Sequence, residues 1–338
     1  MIIQSMTPAP APAPVQAPAS APVPTSTAGI TNQLSGVATL NHLGVIRAAG
    51  ADAATFLQGQ LTQDVVGVGL DNARLAAFCS AKGRMQASFV IFKRKNVQGI
   101  EELLLVCSAD IMAQTLKRLS MFVMRAKVQL TDASAEFTLY GVAGGATNTG
   151  AGYTGIYWSK HDLDDTNNIF LYPGSGVERV LCCVPVNLPP PAGSVLPVST
   201  WNWLEVQSGI AMISLPIFEA FVPQMLNYES VGGVNFQKGC YPGQEVVARS
   251  QFRGTLKRRA YVAHGSGQAV VGQEVFHSSD AEQPCGLVAA CAPNPSGGFD
   301  AIVSMQTSAA ASGLLTLGSP LGAALNLLAL PYPLLEDI

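Results

Sequence analysis

The sequence predicts an α+β fold in several parts, and three observations carry that prediction. Short apolar stretches with strand character alternate with short amphipathic stretches of helical period through most of the chain. From Ala260 onward the pattern changes to brief apolar runs broken by Gly, Ser and Pro, the mark of a small β-barrel. No dinucleotide-binding fingerprint is present: Gly141, Gly144 and Gly145 lack a following helical pattern and read as a loop.

Taken in order, residues 1–30 are rich in Pro and Ala, with no charged side chain. Alternating Ala-Pro forms neither helix nor ladder, so a disordered extended tail is expected there. It lacks the basic region that opens a secretory signal. Residues 40–48 read as a strand, after which Asp52 offers the cap of a helix carrying Phe56, Leu57 and Leu61 on one face. Asp64 fits a turn or cap better than a catalytic carboxylate. Residues 74–80 and 84–94 form a hairpin across Ala81-Lys82-Gly83. A strand at 102–107 leads to a helix at 110–122 with Ile111, Leu116 and Leu119 inward. Strands at 127–130 and 137–142 follow, and residues 156–186 supply three more. Pro189, Pro190 and Pro191 stiffen a connector, and Ser199-Thr200 caps a helix that opens on Trp201.

Composition narrows the function. The chain has 338 residues, enough for two or three cores, and a net charge of −3. That balance argues against a general nucleic-acid-binding surface, so any contact with a nucleic acid is expected to be indirect. No uncharged apolar run reaches the roughly 18 residues of a membrane span. The seven cysteines Cys79, Cys107, Cys182, Cys183, Cys240, Cys285 and Cys291 show no CxxC spacing and no Cys/His cluster. Free thiols in a reducing cytoplasm follow, with no resident zinc or four-cysteine cluster. Cys182 and Cys183, adjacent in an apolar run, point to opposite faces of one strand.

The chemistry concentrates in Lys238-Gly239-Cys240-Tyr241-Pro242-Gly243-Gln244-Glu245. Pro242 fits a first helical position and Glu245 complements the positive end of the dipole. A thiolate at Cys240 gains from that dipole and from Lys238, so its pKa is expected to fall from about 8.5 toward roughly 3.5–7.5. Arg249, Arg253, Lys257, Arg258 and Arg259 then form the densest basic run, which reads equally as an anion-binding rim or a solvated face.

The Lys238–Glu245 string resembles the signature of the YgfZ family, folate-binding relatives of the glycine-cleavage T protein. The resemblance extends to Phe56-Leu57-Gln58-Gly59-Gln60-Leu61-Thr62, Ala81-Lys82-Gly83-Arg84-Met85, Phe221-Val222-Pro223-Gln224, Gly232-Gly233-Val234-Asn235-Phe236 and Ala248-Arg249-Ser250-Gln251-Phe252. It implies a T-protein-like fold around a central folate cavity. Residues 31–253 would form two intertwined α+β domains and residues 254–338 a C-terminal β-barrel domain. It further implies a cytoplasmic factor that binds tetrahydrofolate or a derivative and supports assembly or repair of iron–sulfur enzymes, and thereby tRNA modification. Iron–sulfur assembly proteins or client enzymes are its implied partners.

Under the resemblance, Cys240 is the chemical centre with Lys238 as its activator. Trp201 offers a ring platform for the folate, and Gln207, Tyr241, Arg249 and Arg253 complete the cofactor site. The chain departs from its relatives at Leu43, where a second tryptophan is usual, at Gln207, often glutamate, and at Pro242, often threonine. Two alternatives stay open. A folate-dependent aminomethyl transferase needs a carboxylate where this chain has Gln86 and Ala87, and an amide cannot act as a general base. A noncatalytic scaffold needs no reactive thiol. His264 and His277 read as ordinary polar positions, and Leu330-Pro331-Tyr332-Pro333-Leu334 as a packing strap.

Overall fold

Among the described residues, strand period and turn chemistry assemble into two antiparallel sheets of five strands and one closed barrel of six. The computed structural model describes residues 34–147, 156–252 and 255–335. The Pro/Ala-rich tail and Arg253 lie outside the described residues.

The chain opens with β1 (Gly36–Thr39), β2 (Leu43–Ala49) and α1 (Ala53–Gln58), then β3 (Ala73–Cys79), β4 (Met85–Lys95), β5 (Glu101–Ser108) and α2 (Ala109–Ser120). It continues through β6 (Gln129–Asp132), β7 (Phe137–Ala143), β8 (Lys160–Leu163), β9 (Thr166–Gly174), β10 (Val177–Pro185), α3 (Val198–Gln207) and α4 (Gln244–Phe252). The last part comprises β11 (Arg258–Gly265), β12 (Glu274–His277), β13 (Gly286–Pro293), β14 (Phe299–Gln306), α5 (Thr307–Ala311), β15 (Leu315–Leu317) and β16 (Ala324–Leu328).

One sheet runs β3-β4-β5-β2-β6, the second β1-β7-β10-β9-β8, and the barrel closes in the order β11-β14-β13-β12-β15-β16. The strand expected over 40–48 is β2, which starts three residues later because residues 40–42 turn, the Leu43 amide donating to the Leu40 carbonyl; β1, ahead of that turn, was not expected and lies in the other sheet. Between the sheets lies part of the main core, including Leu75, Val90, Val106 and Leu181, while Phe89 and Leu105 belong to the other face of the first sheet. Cys183 joins that core while Cys182 packs with Val142 and Phe170 beyond it, as opposite faces of β10 require.

Three local expectations are corrected. The Asp52 side chain makes no cap on α1; its Oδ2 accepts from the Lys127 amide at 2.6 Å and ties the helix start to the approach to β6. The helix expected to open on Trp201 starts earlier, at Val198, because the Pro197 carbonyl accepts the first helical amides, from Thr200 and Trp201. Ser199 and Thr200 thus lie inside it. Pro242 is not helical either. Gly243 has φ 79°, a left-handed conformation that breaks the helix before Gln244.

The helix α3 is wedged between the second sheet and the barrel. Its Trp201 has no exposed surface and lies directly on Gly141 of β7, where an added Cβ would stand 2.4 Å from the indole. No helix among the described residues is long and apolar enough to cross a membrane.

Candidate functional site

The cysteine loop is cradled by segments far apart in sequence. Lys238 Nζ donates to the carbonyls of Gln58 and, at 2.6 Å, Leu61, which are free because α1 ends there. Thr62 Oγ1 donates to Gly233 at 2.7 Å, Gln63 Nε2 to Gly232 at 2.6 Å, and the Asn235 amide to Thr62 at 2.9 Å. On the other side Gly243 meets the β3–β4 turn: a Cβ there would come 2.4 Å from the Ser80 carbonyl. The glycine is required both by this approach and by its positive φ. Gln224 Nε2 closes the cradle from behind, donating to Val247 of α4 at 2.7 Å.

Cys240 sits exposed on this cradle, whereas Cys79, Cys107, Cys182, Cys183 and Cys285 are buried. Burial pushes the Cys79, Cys107 and Cys182 thiols up to about 12, leaving them protonated and inert at neutral pH. Lys238 is half-buried and its ammonium stands 4.7 Å from the centroid of the Tyr241 ring. Burial lowers its pKa to about 8, with the charges of Asp64 and Cys240 pulling the other way. Tyr241 is itself buried, its phenol pushed up by desolvation, and it floors the loop beneath Lys238.

Trp201 belongs to a different place. A small cavity of about 40 Å³ lies between the sheets, lined by Leu43, Leu75 and Val90 on one side and by Arg179, Trp201 and Glu205 on the other. The Arg179 guanidinium lies over the indole, 5.1 Å from its centroid, so with Gly141 on the other side neither face of Trp201 is open to a ring. The expected stacking platform is therefore occupied by this chain's own arginine. What the cavity offers instead is donors: Arg179 Nη1 and Trp201 Nε1 are buried with no hydrogen-bond partner. Arg179 Nε is held by the Tyr172 carbonyl at 3.0 Å, and full burial lowers the guanidinium pKa to about 10, partly offset by Glu205.

Helical spacing separates Gln207 from this cavity. Trp201 and Glu205, four residues apart, share the inner face of α3, while Trp203 and Gln207 share the face toward the barrel. There Asp300 Oδ2 accepts from Trp203 Nε1 at 2.6 Å, Gln207 Nε2 at 2.7 Å and Asn294 Nδ2 at 2.8 Å, and Asp300 Oδ1 pairs with His264 Nδ1 at 2.7 Å. Gln207 thus fastens α3 to β14, and the carboxylate lining the cavity is Glu205, which sequence reasoning passed over. The spacing of four from Trp201 was the available signal.

The basic run divides as well. Arg249, Lys257 and Arg258 line a groove of about 790 Å³ between α4 and the barrel. Arg259 turns inward, buried, and donates to Glu229 Oε1 at 2.8 Å. Among the described residues no group of three or more His, Cys, Asp or Glu side chains gathers to hold a metal ion.

The tRNA-modifying protein YgfZ of Edwardsiella ictaluri (strain 93-146) is 31% identical to this chain over 236 residues, 66% of this chain and 69% of that protein. The tRNA-modifying protein YgfZ of Yersinia enterocolitica serotype O:8 / biotype 1B is 27% identical over 314 residues, 88% of this chain and 93% of that protein. Among solved structures, the glycine cleavage system aminomethyltransferase T from Bartonella henselae superposes with a TM-score of 0.62 at 13% identity, over 90% of this chain and 89% of that one. The shared architecture is that of the T-protein fold. No protein-family model matches the chain.

Proposed function

This chain belongs to the YgfZ family, and from that premise we propose that it is a folate-binding factor that supports assembly or repair of iron–sulfur enzymes and, through them, tRNA modification. The observation that carries the folate part is the pair of unpartnered buried donors, Arg179 Nη1 and Trp201 Nε1, at one cavity between the sheets. A buried donor left without an acceptor costs about 1–3 kcal/mol. Two of them, beside the Glu205 carboxylate, suit a ligand edge that carries both acceptors and donors, as the oxo and amino groups of a pterin do.

Arg179 and Trp201 would hold the acceptors of that edge and Glu205 its donors, and the folate would bring a one-carbon unit or a reduced ring. The present cavity of about 40 Å³ admits a single water, whereas sites for such ligands measure roughly 300 Å³ or more. Entry therefore requires the wall to repack. Met212, unbranched and lining the cavity, is the side chain best able to do so. Leu43, smaller than the tryptophan usual in relatives, adds to that slack.

Cys240 is the reactive group in this reading, and Lys238 shapes its setting by holding the loop to α1. An aminomethyl-transferase role is less well supported. Gln86 is the extra residue where Phe78 pairs with Ala87 and Cys79 with Met85, and its Nε2 donates to Glu219 at 2.5 Å.

Titration with tetrahydrofolate followed by tryptophan fluorescence tests the proposal on the wild type, Arg179→Met, Trp201→Phe and Cys240→Ser. Wild type and Cys240→Ser are expected to bind alike, with affinity reduced about tenfold or more in Arg179→Met and less in Trp201→Phe. Absence of binding to the wild type, or undiminished binding to a folded Arg179→Met, sinks the folate reading.

A further inference from the structure

A second surface lies away from the central cavity: β3 turns Leu75 toward that cavity and Phe78, three residues on, to the other face of the sheet. From Ile111 to Thr131 the chain carries Lys117, Arg118, Arg125 and Lys127 and no acidic residue, in a protein whose net charge is −3. All four are exposed. Among the same residues Met121 is 74% exposed, Met124 89% and Phe122 44%, an apolar patch set among cations.

Beside the patch lies a recess of about 220 Å³ between α2, the β3–β4 hairpin and Phe218. Phe78, Phe218 and Met121 form apolar walls, and Arg118 stands at the recess. Gln114 and Lys117 also line it, and two of its polar side chains are buried: Gln86, 1% exposed, and Thr115, 2% exposed, whose Oε1 and Oγ1 have no hydrogen-bond partner. Gln86 cannot turn away to solve this, since its Nε2 is committed to Glu219. The walls and volume suit one aromatic side chain. The orphaned amide oxygen calls for a donor at its edge, which indole N–H and phenol O–H supply.

We propose that this surface docks an acidic segment of a partner protein, with one tryptophan or tyrosine side chain seated in the recess and donating to Gln86 Oε1. Lys117, Arg118 and Arg125 face the partner's carboxylates and steer the encounter. Met121 and Met124, unbranched and adaptable, close over the anchor. A buried aromatic in a pocket, ringed by contacts that exclude water, is how interfaces concentrate their affinity. An anionic bilayer would satisfy the cations and the methionines but would leave the recess and its two orphaned oxygens unfilled.

The test uses the full chain and a fluorescein-labelled peptide of sequence Glu-Asp-Glu-Trp-Glu-Asp-Leu, read by fluorescence anisotropy. Saturable binding is expected, weakened about tenfold or more when alanine replaces the peptide's tryptophan, and similarly in Arg118→Glu and Met121→Ser. Both protein substitutions are at exposed positions, so their folding is checked simply by circular dichroism. No binding up to about 1 mM, equal binding of the alanine peptide, or equal binding by both variants overturns the proposal. Co-sedimentation with phosphatidylglycerol vesicles, lost in Arg118→Glu while the peptide fails to bind, would assign the surface to membranes and overturn it too.

Discussion

Around Cys240 the chain is held largely by carbonyls and amides of the main chain, whereas around Trp201 it is held by side chains packed in from both sheets and α3. Lys238 reaches two helix-end carbonyls, Thr62 and Gln63 reach the Gly232–Gly233 turn, and Gly243 presses on the hairpin. The thiol itself takes no part in this and stays exposed. Trp201, by contrast, is wholly buried, clamped between Gly141 and Arg179. A site built on the backbone can change its reactive group at little cost to the fold. A site built of core side chains cannot lose one without loosening the core.

The largest expected effect follows from the second half of that contrast. Trp201→Ala should lower stability by about 3–5 kcal/mol, read as a shift in urea midpoint. A loss under about 1 kcal/mol would mean that the indole belongs to a mobile wall and not to the core. Next comes the outer face of α3, where Asp300→Ala strips the acceptor from Trp203, Gln207 and Asn294. A loss of roughly 2–4 kcal/mol is expected in the same measurement, because buried donors are left unmatched.

Lys238→Met probes the cradle. It removes both donors to the α1 end while keeping most of the apolar stem, and should cost about 1–3 kcal/mol and speed amide exchange in residues 58–61. The same residue has a pH signature. Burial holds it at about 8 in the fold against about 10.4 unfolded. Between those values the unfolded chain binds more protons, so this group makes stability rise with pH across the window and penalises the fold below it. Urea midpoints compared across that range should rise more steeply for the wild type than for Lys238→Met; parallel curves would remove Lys238 from the account.

The smallest effect is expected at the thiol: Cys240→Ser should stay within about 0.5 kcal/mol of wild type while removing the fast iodoacetamide labelling expected of the wild type at this exposed position. Continued fast labelling would transfer the reactivity to Cys291, the other cysteine that is not fully buried.

Much of this was legible along the chain. The hairpin β3–β4 stands within a residue of the positions its alternation and turn predict, and the three strands β8–β10 fall inside residues 156–186 as expected. Every string that carried the family resemblance near residues 58, 83, 224, 232 and 240 now meets around one loop. Local signals suffice there because turn residues act on their own backbone. The barrel's last strands were missed: β15 and β16 are three and five residues long, too short to show a period, and exist because they close the sheet between β12 and β11.

What the sequence determined by itself was the α+β class, the position of the cysteine loop and the glycines its turns require, since these depend on neighbours within a few residues. Only the tertiary structure decided which side of α3 each residue faces. It put Glu205 and not Gln207 at the cavity, laid Arg179 over Trp201, turned Arg259 inward to Glu229 and left Arg249 over a separate groove. Those outcomes depend on what packs against each face from more than twenty residues away, and a one-dimensional pattern records that a residue can be buried without recording against what.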